Sequence, residues 1–250
     1  MRLLIFLSLI PTLAFANPID DKCSQHTVFG APVSKIVTND QYLCKTNYAI
    51  HYRNDTKTAE YAVEHLDLLD ITGPATREND FRADKEIPFK YQALLTDYAG
   101  RPYDRGHLVP AADNKINDDV MSESFFLSNM IPQVPNNNRG IWRILEEKTR
   151  DLALTKDVYV ISGTIYDDGY ITIGSGKVGV PSKLWKVIYN NTDKTGIAFV
   201  FPNAALPVAD MPKYAVSISE VENVTGINFF PKASNSSFEK NNTFDGFFSE

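Results

Sequence analysis

The tetrapeptide Asp104-Arg105-Gly106-His107 sets an acid, a guanidinium and an imidazole within four positions. Imidazole ordinarily titrates near neutrality, so it can take a proton from water. A guanidinium presents fixed, bidentate positive charge to oxyanions. Hydrolysis of a phosphodiester calls for both, together with a metal ion to stabilise the leaving oxygen. Arg105 and His107 are two residues apart, so an extended strand would point them to one face. Gly106 between them leaves the opposite side open for close backbone approach. Alone, the tetrapeptide is also open to a plainer reading, a turn with a surface arginine. His26 and His51 have no suggestive neighbours, and His65 falls in an expected strand, where a structural role is simplest.

A second constellation follows downstream. Phe126-Leu127-Ser128-Asn129 leads through Pro132-Gln133 into Asn136-Asn137-Asn138-Arg139-Gly140-Ile141-Trp142, with Glu146 beyond. On one helix Asn138, Trp142 and Glu146 recur every four residues and share a face. Eight helical residues span about 12 Å, so Asn138 and Glu146 would not both touch one ion. An amide oxygen binding a hard cation directly, with a carboxylate holding its water from further back, suits magnesium, which sheds water reluctantly. Read separately, the asparagine run is a turn and helix cap, and Glu146 is a solvated helix position.

Together these segments resemble the DNA/RNA non-specific endonucleases of the ββα-metal fold, the group of secreted bacterial nucleases and the mitochondrial endonuclease G type. The resemblance runs over about residues 77–231. It rests on Tyr103-Asp104-Arg105-Gly106-His107-Leu108, Phe126-Leu127-Ser128-Asn129, Pro132-Gln133-Val134-Pro135, Asn138-Arg139-Gly140-Ile141-Trp142 with Leu145-Glu146, and Gly226-Ile227-Asn228-Phe229-Phe230-Pro231, in that order. It implies His107 as general base, Arg105 as stabiliser of the transition state, and Asn138 as the one direct protein ligand of Mg2+, with Mn2+ as a substitute. Glu146 would order the water around the metal, and Asn129 would be a second, supporting asparagine at the site. Arg77 would be a second phosphate-facing arginine, although Arg82 is close enough to take that place. The implied substrates are DNA and RNA, cut with little sequence specificity to leave 5′-phosphates, and a protein inhibitor is among the partners it allows. Arg139 stands where many members carry glutamine.

These residues must be positioned by elements that the pattern partly shows. Glu60 to Leu68 alternates and reads as a strand. Asp70 to Arg105 has prolines, charges and little periodicity, and reads as a long functional loop region. Val120 to Leu127 reads as a short helix and Asn138 to Leu154 as the main one, with Ile141, Leu145 and Leu152 near one stripe. Short β-branched and aromatic runs at Val158–Ile161, Tyr170–Ile173, Leu184–Tyr189, Ile197–Phe201 and Tyr214–Ile218 read as strands. Ser219 can cap a short helix ending near Gly226. The expectation is an α+β fold with a central antiparallel sheet, flanking helices and a ββα-metal motif.

At the N-terminus, Arg2, an apolar run from Leu3 to Ile10 and Ala14-Phe15-Ala16 read as a signal peptide, cleaved near Ala16. The expected product is secreted or periplasmic. The apolar run is too short to span a bilayer and no other stretch could do so, so no membrane partner is expected. Residues 17–70 then form an N-terminal segment leading into the core, 71–232 the nuclease core and 233–250 a flexible tail, with 17–250 one domain overall. The chain has two cysteines, Cys23 and Cys44. Export favours a disulfide between them, and two free thiols would follow if the signal reading failed. The net charge is −6, and one unit more negative without Arg2. That disfavours a protein built for tight nucleic-acid binding, and disfavours an enzyme with a locally positive site much less. A catalytically idle binding protein on the same fold and a hydrolase of small phosphodiesters are the rival readings. Sequons occur at Asn54, Asn190, Asn223, Asn235 and Asn241. Oligomeric state is not legible.

Overall fold

A computed structural model describes residues 17–35, 40–233 and 244–248. The expected signal peptide lies outside the described residues, as do the sequons at Asn235 and Asn241. In chain order, helix α1 (Pro18–Lys22) precedes strands β1 (Val33–Ser34), β2 (Gln41–Cys44), β3 (Tyr48–Arg53) and β4 (Thr58–Leu66). Then come α2 (Leu68–Thr72), α3 (Leu95–Tyr98), β5 (Asp104–His107), α4 (Asp118–Glu123), β6 (Met130–Gln133) and α5 (Arg143–Ala153). The remainder comprises β7 (Val158–Ile165), β8 (Thr172–Ile173), β9 (Val178–Gly179), β10 (Lys183–Asn190), β11 (Thr195–Pro202), β12 (Ala215–Val216), α6 (Ile218–Thr225), β13 (Ile227–Asn228) and α7 (Phe244–Phe248).

Seven strands form one antiparallel sheet in the order β12-β11-β10-β7-β4-β3-β2. Its central strands are covered on both faces, which is why they read as apolar runs with little alternation. One face carries Ala62, Val160, Leu184, Ile188 and Phe199 and packs against Trp142, Leu145 and Leu152 at and beyond the start of α5. The other carries Tyr61, Val63, Ile161, Trp185 and Val187 and is covered by Ile19 and Cys23 from the N-terminal segment and by Val221 and Phe229 near α6. The expected fold class is therefore present: mixed α and β elements on a central antiparallel sheet. The hairpin β5–β6 stands apart from that sheet, with Asp104 opposite Gln133 and His107 opposite Met130.

Several elements differ from expectation. The region from Asp70 to Arg105 is not bare loop, since α2, α3 and a tight turn at Phe89–Tyr91 fall in it. The short helix begins earlier than expected, because Asn117 caps it by accepting from Val120 N at 2.9 Å. Ser217, not Ser219, caps α6, accepting from Glu220 N at 3.1 Å, and Gly226 ends that helix at φ 71°, a conformation open to glycine at little cost. The Tyr214–Ile218 run contributes only two strand residues, because that cap claims the chain at Ser217. The Tyr170–Ile173 run contributes only Thr172–Ile173, paired with β9 outside the main sheet. The expected loose tail is corrected in part. Residues 244–248 form α7, with Phe247 buried and Phe244 edge-on to Phe199 at 6.0 Å. Aromatic burial holds this segment despite its polar approach.

The N-terminal segment is integral to the sheet, because β2 and β3 extend it. Cys23 and Cys44 are disulfide-bonded with Cα atoms 5.9 Å apart, tying the end of α1 to the edge strand β2. His51, which had no suggestive neighbours in sequence, lies between Glu60 at 2.7 Å and Asp40 at 3.4 Å and stacks on Tyr42. Burial would lower its pKa, but the two carboxylates outweigh burial and raise it. His65 is structural in the way expected, meeting Asp157 at 2.6 Å and stacking on Tyr159. Among the described residues no helix is long and apolar enough to cross a membrane.

The disulfide closes a loop with a sequence separation of 21. Cross-linking over that length restricts the unfolded chain by roughly 3 kcal/mol. Replacing both cysteines by serine should lower unfolding stability by about that amount in urea titrations, and adding reductant to the parent protein should reproduce the loss. Equal stability of the two proteins would show the bridge to be energetically idle.

Candidate active site

The strand β5 does what the spacing of its residues requires. Its paired backbone sets Arg105 and His107 on one side, facing a cleft of about 650 Å³. Gly106, on the other side, leaves no space. A Cβ there would lie 2.0 Å from Gln133 Oε1 and 2.7 Å from Gln133 Cβ, so the hairpin closes only because the residue is glycine. The expectation that this side is open for close backbone approach is corrected: the side is filled, and the group that fills it is the Gln133 side chain.

His107 is buried, with its ring against Phe125 at 5.1 Å and Phe81 at 5.8 Å between centroids. Both phenylalanines also seat an arginine. The Arg105 guanidinium lies 4.2 Å from the Phe81 ring and that of Arg77 lies 5.1 Å from the Phe125 ring. The aromatic pair, itself edge-to-face at 5.0 Å, thus sets both cations and the imidazole around one end of the cleft. Burial, then the charges of Arg77 and Arg105, pull the His107 pKa down to about 3, so the ring is neutral across the physiological range. Arg77, and not Arg82, lines the cleft. Arg82 is turned away to Asp80 at 2.7 Å and to the carbonyl of Ser122, with its guanidinium over Phe126.

Asn138 and Glu146 enter from the other side, but not along one helix. Residues Asn137–Trp142 form a wide, π-type turn, broken by non-helical backbone at Gly140, and α5 starts only at Arg143. The straight-helix separation therefore does not apply, and both side chains line the same cleft. Asn138 Nδ2 donates to Asp104 Oδ2 at 2.9 Å. A carboxylate only accepts, so this bond fixes the amide orientation. It leaves Asn138 Oδ1, the atom a hard cation would take, without a protein partner among the described residues. Asp104 also accepts from Arg139 Nε at 2.8 Å and Nη2 at 2.6 Å. Burial alone would raise the Asp104 pKa, but the hydrogen bonds from Arg139 and Asn138 keep it below the usual carboxylate range.

The run Asn136-Asn137-Asn138 divides into three tasks. Asn136 is exposed. Asn137 is fully buried, accepting from Gln133 Nε2 at 2.8 Å and donating to the carbonyls of Pro202 and Ala204 at 3.0 and 3.1 Å. Only Asn138 faces the cleft. Asn129, expected among the catalytic residues, does not reach it. Its side chain is buried, with Oδ1 accepting from Val109 N at 3.0 Å and Nδ2 donating to the carbonyls of Val109 and Ser124. Every polar atom of that amide is used to hold the chain leaving His107, so Asn129 is a positioning residue.

Glu146 sits in the cleft above a group of buried charges. Asp113 and Arg150 pair at 2.7 Å, and Lys186, buried in β10, donates to Ser162 Oγ at 2.6 Å beneath the Trp142 ring. Burial pushes the Glu146 pKa up to about 7, with Asp113 adding to the rise and Lys186 and Arg150 opposing it. Trp142 Nε1 donates to the His107 carbonyl at 3.2 Å, joining the two sides of the site. Among the described residues no three His, Cys, Asp or Glu side chains could enclose a metal ion. The donor set fits a cation that keeps most of its water, with Asn138 Oδ1 as an oxygen ligand and Glu146 as an acceptor for that water.

This arrangement meets an independent finding. A family model described as "DNA/RNA non-specific endonuclease" matches residues 25–236. The chain belongs to that family. The match extends well upstream of the motifs that carried the resemblance, in agreement with β2, β3 and β4 being part of the sheet. The chain is 34% identical over 222 residues to the mitochondrial nuclease EXOG of Homo sapiens, covering 81% of this chain and 59% of that protein. It thus spans less than two thirds of the EXOG relatives' length. It is 30% identical over 244 residues to a nuclease of a Nostoc strain, covering 91% of this chain and 87% of that one. Among solved structures, a chain from the crystal structure of the EndoG/EndoGI complex superposes with a TM-score of 0.77 at 27% identity, covering 86% of this chain and 94% of that one.

Sequence reasoning missed the use of Asp104, which aligns Asn138 and Arg139, and the seating role of Phe81 and Phe125. The first could have been suspected from an acid close to two arginines. The second has no local signal, since Phe81 and Phe125 come together only in the fold. The asparagine run yields a direct test. Asn137→Ala strands two carbonyls and should cost about 1–3 kcal/mol of stability in chemical unfolding. Asn138→Ala should leave stability nearly unchanged. The reverse pattern would overturn the division of roles.

Proposed function

We propose that the chain is a divalent-metal-dependent nuclease that hydrolyses phosphodiester bonds in DNA and RNA with little sequence preference. The observation that carries this reading is the convergence of His107, Arg105, Arg77, Asn138 and Glu146 on one cleft. His107 Nε2 is buried without a hydrogen-bond partner, so Nδ1 is the ring atom proposed to take the proton from water. The low pKa of the ring keeps it deprotonated and ready as a base. As that proton moves, the charges of Arg77 and Arg105 destabilise the imidazolium, and a bound phosphate between them would offset the penalty. The same arginines hold the non-bridging oxygens as negative charge builds. Asn138 would hold Mg2+, or Mn2+ in its place, with Glu146 supporting its water, and the ion would supply Lewis-acid stabilisation of the leaving 3′-oxygen. Products would then carry 5′-phosphates. Among the described residues, no helix lines the cleft in the manner of a base-reading helix apart from the turn that carries Asn138 and the start of α5, which supports weak specificity.

Residues 1–16 are proposed to be a signal peptide, giving a secreted or periplasmic protein in which the observed disulfide is stable. A protein inhibitor is a proposed partner, by analogy with the EndoG/EndoGI complex.

Two measurements test the reading. Plasmid DNA and RNA should be degraded with added Mg2+ and preserved with EDTA. His107→Ala should fold but lose nearly all activity, on the order of the 10²–10⁴-fold that general-base catalysis supplies. Near-parental activity in that variant would remove His107 from the mechanism. The pH profile separates the two titrating groups. Glu146 is raised and must be ionised to act, so kcat/KM at low metal should fall below about pH 7. A cation favours the carboxylate, so higher metal should move that limb to lower pH. His107 loses its base form only in strong acid and should not set the limb. A limb that ignores metal concentration would assign it to some other group.

A further inference from the structure

A second groove, of about 440 Å³, lies beside the catalytic cleft and is bounded by Asn136, Arg139, Gly140, Ala205, Leu206 and Pro207. Arg139 borders both cavities, so the two adjoin at its side chain. The groove has fixed walls. Asn137 ties its own segment to the Pro202 and Ala204 carbonyls. Asn203 repeats the tie from the facing loop, accepting from Val134 N at 2.9 Å and donating to the Pro132 carbonyl at 3.0 Å. Two amides thus lock the 202–207 loop against the residues that carry Asn138. The groove lining is apolar on the loop side, has an exposed amide at Asn136, and carries no acidic side chain.

We infer that this groove is the subsite for the nucleoside on the 5′ side of the scissile phosphate. The inference rests on the nuclease reading and follows from its polarity. In-line displacement puts the attacking water and the leaving 3′-oxygen on opposite sides of phosphorus. His107 lies on the water side, so the nucleoside that retains the 3′-oxygen lies on the Asn138 side. Arg139 and Gly140, which follow Asn138 in the chain, border the groove. The base covers Leu206 and Pro207, and the Asn136 amide meets its polar edge. An amide can donate to or accept from any base, and apolar contact with a base face is sequence-tolerant, so the subsite adds affinity without strict specificity. Arg139, held in place by Asp104, keeps an exposed edge for the backbone between the two cavities.

The test uses a short single strand in which one chosen linkage is cleavable and the rest are blocked. One version has an intact base on each side of that linkage, a second lacks the 5′ base, and a third lacks the 3′ base. For the parent enzyme, loss of the 5′ base should raise KM about tenfold, as expected for one lost base contact, with a smaller effect from the 3′ base. Ala205→Glu places a carboxylate in an exposed part of the groove, and should raise KM on the intact strand and lose its sensitivity to the 5′ base. Ala205→Lys keeps the bulk but reverses the charge, and should bind the intact strand at least as well as Ala205→Glu. Equal sensitivity of the parent enzyme to the two bases, or retained 5′ sensitivity in Ala205→Glu, overturns the subsite while leaving the nuclease reading standing. Absence of cleavage of every strand by the parent enzyme removes the nuclease reading and the subsite with it.

Discussion

The geometry of the cleft depends on holding two separate pieces of chain face to face, and the Trp142 indole supplies the joint. It is buried between the sheet and the β5–β6 hairpin, and its N–H donates to the carbonyl of His107. The strand that offers an imidazole and the turn that offers Asn138 therefore share a single packing unit. Asp104 makes the same connection at the surface, through Asn138 and Arg139, and Arg150 makes it again at depth, through Asp113. An active site assembled from two chain segments needs such joints, because loss of about an ångström in alignment costs far more in rate than in stability.

The same construction explains how an acidic chain can serve a polyanion. The surface charge is negative overall, yet Arg77, Arg105, Arg139, Arg143 and Arg150 all line the cleft. These five arginines outnumber the cleft's acids, Asp104, Glu146 and Glu147, so its lining is net positive in a net negative chain, an arrangement that favours turnover over retention. Aromatic rings hold two of these guanidinium groups in place, so orientation is set before any ligand arrives. Burial and the two arginines together hold the histidine neutral, and under the proposed mechanism the same cluster of charge would receive the developing negative charge.

How much of this could be read from the chain depends on whether the relevant contact is local. Arg105 and His107 were legible because a strand's period fixes their common face. The central strands β7, β10 and β11 were legible because burial on both sides leaves a continuous apolar run. β2 was not, since its edge location mixes polar and apolar residues, and β3 was not because His51 and Arg53 interrupt its apolar run. The single long helix from Asn138 was misread because periodicity in Ile141, Leu145 and Leu152 continues across a turn whose backbone is not α-helical. Asn129 was expected as a supporting asparagine at the site, but sequence does not record the direction in which an amide is spent, and this one is spent on Val109 and Ser124. The α7 segment was missed because its anchoring is entirely tertiary, through Phe199.

The wide turn over Asn137–Trp142 has a consequence for how this molecule can change over evolutionary time. Each residue added to or removed from a helical turn rotates everything beyond it by about 100°. Here Asn137 is pinned to the 202–204 loop on one side, and Trp142 to the hairpin on the other. The length of chain between them is therefore under tighter constraint than its composition. Exchange of an exposed residue within it, such as Arg139, would cost the pair with Asp104 but move neither anchor, whereas a single deletion would force one of the two anchors to let go. Sequence drift in this segment should proceed by exchange of residues and seldom by change of length.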